Sequence, residues 1–184
     1  MPLRIPDAMR SARETVARVL LHHVLQDFQP GACHVLCYYT SEMACPYFHA
    51  VKPRSQTGNS RSAMLPLGDA WDGLCRAVTG SPCEPDEITL LSFCNMGYAR
   101  GCCSRFPPGD GPDAVRFTIA GDQPGALHLY YVVERDHHPW SHGPLEFSRA
   151  ANAFLTPPPG ETTLQLACAY VASYLRRISE ASRH

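Results

Sequence analysis

The first ten residues, Met1 to Arg10, contain no apolar core of the kind an export signal carries, and no later window approaches the roughly 20 uninterrupted apolar residues that a bilayer crossing needs. Both absences lead to the expectation of a cytoplasmic chain with no membrane partner. Charge of one sign is not in excess either: 16 basic residues face 17 acidic ones, the net charge is −1, and the basic residues are scattered. A scattered set cannot act as the stripe that releases counterions from a phosphate backbone, so nucleic acid is not an expected partner. Catalytic signatures are missing as well. There is no HExxH, no GxSxG elbow, no GxxxxGK[ST] loop and no GxGxxG turn, which leaves zinc proteases, serine hydrolases, nucleotide enzymes and nicotinamide enzymes without positive support. No CxxCH is present to attach a haem, and no internal repeat is visible.

What the chain has instead is nine cysteines in 184 residues. A chain of this length closes one hydrophobic core without disulfide staples, and an odd thiol count fits poorly with a fully paired framework. In a reducing compartment such thiols are free for metal or redox chemistry. We expect a single globular domain over 1–184, with a mobile loop at about 52–63 that includes the polar run RSQTGNSRS.

Helical spacing of Val16, Val19, Leu20, His23 and Val24 predicts a helix from Asp7 to about Phe28, stopped by Pro30-Gly31, and CHVLCYYT at 33–40 reads as a strand. Residues 41–66 read as irregular and outside the core. Ala70–Val78 reads as a short helix, and Pro85, Asp86 and Glu87 open a longer one over 85–100 that Gly101 ends. Alternation at Val115, Phe117 and Ile119, a loop at Gly121–Gly125 and a strand at Leu127–Glu134 predict a β-hairpin. A final helix spans 161–179 with Leu164, Ala167, Cys168, Val171, Tyr174 and Ile178 inward. This order predicts an α+β fold: an antiparallel sheet including a hairpin, with helices packed on one side.

Among the thiols, Cys33 and Cys37 on one strand would lie roughly 13 Å apart, too far to share an ion. Cys168 on the apolar stripe of the last helix reads as core, and Cys83, just before a helix, carries no specific signal. Four others suit ligation. Cys45 precedes proline, which holds it in an extended loop beside Met43, Tyr47 and Phe48. Cys75 follows Trp71. Cys94 shares the helical face of Leu90, Gly97, Tyr98 and Gly101, where the glycines would leave room for an inorganic centre, and Cys103 is preferred over Cys102 because it projects past the helix end. Arg76, Arg100 and Arg105 lie near them in sequence and would offset thiolate charge.

Zinc sites usually take ligands in close CxxC pairs, whereas Cys45, Cys75, Cys94 and Cys103 are widely dispersed. The pattern favours an iron-sulfur cluster, [4Fe–4S] above other types, with zinc as the alternative, serving electron transfer, redox sensing or support of a metalloenzyme partner. Four thiolates would leave no open iron position, favouring redox over Lewis-acid chemistry. The rival reading is a single-metal enzyme, zinc or iron, built on the stretch Glu134–Gly143 with His137, His138 and His142 as ligands. A third is a metal-free interaction module with buried free cysteines. Oligomeric state is not readable from these residues.

Overall fold

Strict alternation builds the larger sheet. Leu127, Leu129, Tyr131 and Val133 are buried while the residues between them are more exposed, because successive strand side chains point to opposite faces. In the computed structural model the described residues are 43–54 and 65–183. They fall within one compact unit, Leu36–His184, and a second unit, Met1–Val35, lies outside the described residues. The helix expected over 7–28, the whole strand expected over 33–40 and the thiols Cys33 and Cys37 therefore lie outside them, as do residues 55–63 of the expected loop.

The strands are β1 (Phe48–Pro53), β2 (Trp71–Cys75), β3 (Ala114–Asp122), β4 (Ala126–Arg135), β5 (His138–Ser148) and β6 (Ala153–Thr156). β1 and β2 form an antiparallel pair, and β3-β4-β5-β6 form a four-stranded antiparallel meander. The helices are α1 (Glu87–Thr89), continued by a π-helical turn at Leu90–Cys94, and α2 (Glu161–Ala181). Both pack to one side, the α+β arrangement expected from the element order. Leu166, Ala167, Ala169 and Val171 of α2 join Phe48, Val115, Phe117, Leu127, Leu129 and Phe147 in a single core.

The hairpin β3–β4 stands where alternation placed it, and α2 begins at the expected residue. Four expectations are corrected. Residues 41–66 are not outside the core: β1 lies there, Phe48 and Ala44 are fully buried, and Lys52 and Pro53 of the expected loop belong to the strand. The stretch read as a helix at 70–78 is β2, because its backbone pairs with β1, Phe48 opposite Cys75 and Pro53 opposite Trp71. Gly73 permits that approach, since a Cβ there would strike the His49 carbonyl and the Phe48 ring. Third, the helix expected over 85–100 starts as predicted, with Asp86 accepting from the Thr89 N–H at 2.9 Å, but it ends at Cys94. Asn95 turns its amide onto the Leu90 carbonyl at 3.0 Å, and Gly97 and Tyr98 adopt positive φ. Gly97 leaves no vacant space beside Cys94, because a Cβ there would meet the Met43 carbonyl at 2.6 Å. Finally, Cys168 is exposed: the buried face of α2 runs through Leu166, Ala169 and Ser173 rather than Leu164 and Cys168.

The stretch Glu134–Gly143 runs from the end of β4 through a turn into β5. Asp136 and His137 have φ of 49° and 60° and form the two-residue turn between β4 and β5, the geometry that matches strand twist.

Candidate functional site

Cys45, Cys75, Cys94 and Cys103 lie on four separate segments; backbone pairing links the first three, and a ring contact brings the fourth segment onto the Cys45 turn. The Cys45 N–H donates to the Cys94 carbonyl at 3.1 Å, which pins the Cys-Pro turn to the end of the π-helical turn. That turn closes with the Phe48 N–H on the Cys45 carbonyl at 3.1 Å and leads straight into β1. Phe48 is the register partner of Cys75, and the Arg76 N–H donates to the Tyr47 carbonyl at 2.9 Å, so the end of β2 lies beside the Cys45 turn. The Cys103 N–H donates to the Ala99 carbonyl at 2.8 Å, and the Phe106 N–H to the Cys103 carbonyl at 3.0 Å. Phe106 meets Tyr47 edge to face at 5.2 Å, bringing this loop onto the same turn. Cys45, Cys75 and Cys94 are buried, Cys103 is half-buried, and it is Cys103 that is the free thiol of the adjacent pair.

The electrostatics agree with the connectivity. Burial pushes the Cys45 thiol up to about 12, with Cys75 and Cys103 adding to the rise against hydrogen bonds from the Tyr47 and Phe48 backbone. Cys94 is raised further by burial first and then by Cys45, Cys75, Cys103 and Cys83. Cys45 and Cys94 thus respond to charge on the other cysteines, and Arg105 does as well. Its guanidinium is held in the charged form mainly by a hydrogen bond to the Cys75 side chain and then by the charges of Cys83, Cys75 and Cys103. Its Nη2 donates to the Ser81 carbonyl at 3.0 Å, while its Nε is buried with no hydrogen-bond partner.

Because the thiolate is the reactive form, protonated buried thiols resist alkylation. At about pH 8, brief iodoacetamide treatment of the metal-free chain is expected to leave Cys45 and Cys94 unmodified and to modify them once the chain is unfolded. Peptide mass spectrometry of the two samples checks this, and modification of either residue in the folded chain would contradict the burial described here.

Cys83 was not distinguishable in the sequence, yet it lies directly beside Cys75. Its only sequence signal was position before a helix; the bridge that places it is tertiary. A second polar group supports the site's outer wall. Arg100 Nε donates to Asp113 Oδ1 at 2.5 Å, the Asp136 N–H donates to Asp113 Oδ2 at 2.7 Å, and the Tyr98 hydroxyl donates to Glu134. Asp113 and Glu134 are buried, so these bonds satisfy carboxylates that would otherwise be costly to bury. Arg100 therefore serves Asp113 rather than the thiols, and Arg76 pairs with Glu161 at 2.6 Å. Of the three arginines named from the sequence, Arg105 alone faces sulfur.

The histidines do not gather. His137 sits in the β4–β5 turn and stacks on Tyr98 at 4.5 Å, His138 opens β5 opposite Arg135, and His142 meets the Tyr130 hydroxyl at 2.8 Å through Nδ1. His138 and His142 are four residues apart on one strand, about 13 Å at strand rise. Among the described residues no group of three or more His, Cys, Asp or Glu side chains is arranged to hold a metal ion. A single tetrahedral zinc ion would require its four sulfurs about 3.8 Å apart, given a Zn–S distance near 2.3 Å. Nor is any helix of the described residues long and apolar enough to cross a membrane. No protein-family model, no curated protein and no solved structure matches the chain.

Proposed function

We propose that Cys45, Cys75, Cys94 and Cys103 are the ligands of an iron-sulfur centre, and that the chain serves electron transfer, redox sensing or the support of a metalloenzyme partner. One observation supports the reading: three of these thiols are buried on segments linked by the Cys45–Cys94 backbone bond and the Phe48–Cys75 pairing. The wide dispersal of the four cysteines along the sequence suits a [4Fe–4S] centre better than zinc. When bound, such a centre supplies one-electron chemistry. The chain's own part is to shed the thiol protons on loading, to keep water from the three buried sulfurs and to place the Arg105 guanidinium beside Cys75.

Among the described residues no group is arranged round one metal ion, and this backs a second reading better than the first: the metal-free interaction module with buried free cysteines. The single-metal enzyme on His137, His138 and His142 has the weakest support, since those side chains are spread along a turn and a strand.

Anaerobic purification separates the readings. The iron-sulfur reading expects a brown chain with visible absorption and with iron and acid-labile sulfide in comparable amounts. Colourless protein without iron, sulfide or zinc after anaerobic reconstitution would overturn it and leave the metal-free module.

A further inference from the structure

Cys75 and Cys83 face each other across an antiparallel bridge. The Cys75 N–H donates to the Cys83 carbonyl at 2.8 Å and the Cys83 N–H to the Cys75 carbonyl at 3.1 Å, so the two residues exchange both backbone bonds. Residues so paired have Cα atoms about 5.5 Å apart, inside the range a disulfide spans, and their side chains lie on the same face. The chain reverses through a turn at Val78–Ser81, closed by the Ser81 N–H on the Val78 carbonyl at 3.1 Å, and Arg105 Nη2 holds the Ser81 carbonyl at 3.0 Å. The return of Cys83 onto Cys75 is therefore held at two points.

We propose that Cys75 and Cys83 form a dithiol site that takes low-molecular-weight disulfides, such as glutathione disulfide, and closes to an intramolecular disulfide. Exposure sets the order of events. Cys83 is half-exposed and Cys75 is buried, so the incoming disulfide meets Cys83 first. The Cys83 sulfur attacks one sulfur of the reagent, forming a mixed disulfide and releasing the first small thiol, which takes up the Cys83 proton. The Cys75 sulfur then attacks the Cys83 sulfur, the mixed disulfide breaks, and the second small thiol leaves with the Cys75 proton. Two protein thiols lose two electrons and two protons, and one reagent disulfide becomes two thiols.

The same geometry makes the bond reversible. Cβ atoms in a hydrogen-bonded pair stand about 5.5 Å apart, beyond the roughly 3.5–4.5 Å of a disulfide, so closure needs a backbone shift and carries strain, and strained disulfides are the readily reduced ones. A consequence rests on the iron-sulfur reading: closure removes Cys75 from the four ligands, so the oxidised chain loses the centre.

The full-length chain, metal-free and reduced, is treated with glutathione disulfide, and its disulfides are mapped by peptide mass spectrometry. Cys75–Cys83 is expected as the first bond to form. In Cys75→Ser, glutathione is expected to stay on Cys83, because the resolving thiol is gone. In Cys83→Ser, a half-exposed position that leaves folding intact, no bond to Cys75 is expected. Stable glutathione on Cys83 of the unsubstituted chain, or Cys75 joined instead to another cysteine, would overturn the proposal. Anaerobic reconstitution then reads the coupling: the oxidised chain is expected to bind at least about tenfold less iron than the reduced one, as loss of a ligand predicts, and Cys83→Ser to bind equally after either treatment. Iron uptake without the bond sinks the dithiol site alone. Formation of the bond in a chain that never binds iron sinks the iron-sulfur reading alone.

Discussion

Cys94→Ser is expected to reduce iron and sulfide retention to background while leaving the fold in place. Cys94 is buried at the end of the π-helical turn, its carbonyl holds the Cys45 N–H, and its thiol is raised by burial first and then by charge on the three other proposed ligands. A serine hydroxyl is a poor iron ligand beside three thiolates, so the centre loses one of four attachments. Outer-shell changes alone typically cost 10–100-fold in metal affinity, and loss of a direct ligand is expected to exceed about 100-fold. The carbonyl that carries the backbone link survives the substitution, and the new hydroxyl costs about 1–3 kcal/mol if it finds no partner. Cys168→Ser is the control, because Cys168 is exposed on α2, away from the site. Iron and sulfide measured on anaerobically reconstituted protein read the outcome, with far-ultraviolet circular dichroism to verify folding. Unchanged iron content in Cys94→Ser would remove Cys94 from the ligand set.

Asn95→Ala is expected to destabilise the chain by about 3–5 kcal/mol, because it strips partners from buried backbone groups and opens a cavity. Asn95 is 1 % exposed. Its Oδ1 accepts from the Trp71 N–H at 2.9 Å, and its Nδ2 donates to the Trp71 carbonyl at 3.1 Å and to the Leu90 carbonyl at 3.0 Å. One amide thus satisfies both backbone groups at the start of β2 and the first carbonyl of the π-helical turn. Alanine leaves the Trp71 N–H and carbonyl unpaired in a dry environment, whereas the Leu90 carbonyl keeps the Asn95 N–H at 3.1 Å. Trp71 also donates through Nε1 to Ser173 of α2 at 3.1 Å, so the loss extends to the contact between strand and helix. Urea denaturation followed by tryptophan fluorescence measures the change; a loss under about 1 kcal/mol would mean that water replaces the amide.

Legibility followed the range of the forces involved. The β3–β4 hairpin and α2 were readable because their burial patterns repeat at the period of the element itself, and a run such as Leu127, Leu129, Tyr131, Val133 needs no partner to be recognised. β2 was not. Trp71–Cys75 carries few strand formers, and its conformation comes from pairing with β1, a segment whose own proline and polar neighbours disguised it. The end of α1 was equally hidden, because Asn95 stops the helix by binding Trp71, a residue 24 positions away. At the site, the choice of Cys45, Cys75, Cys94 and Cys103 came from local context, yet three of the reasons do not hold: Cys75 ends a strand rather than a helix, Gly97 packs against Met43 instead of leaving room, and the helix that Cys103 was to project past ends at Cys94.

Residue type and local periodicity decided that this chain would be rich in cysteine, would form an antiparallel hairpin followed by a long amphipathic helix, and would carry no phosphate-binding loop or hydrolase motif. Tertiary contact alone decided which thiols meet. Cys83 stands beside Cys75 through a bridge of two backbone bonds, Arg105 turns toward sulfur while Arg100 turns toward Asp113, and His137, His138 and His142 remain strung along the β4–β5 turn and β5. The reason is physical: a side chain's neighbours across the fold depend on strand register and loop closure, which are set by the packing of the whole core and leave no periodic trace in the residues they bring together.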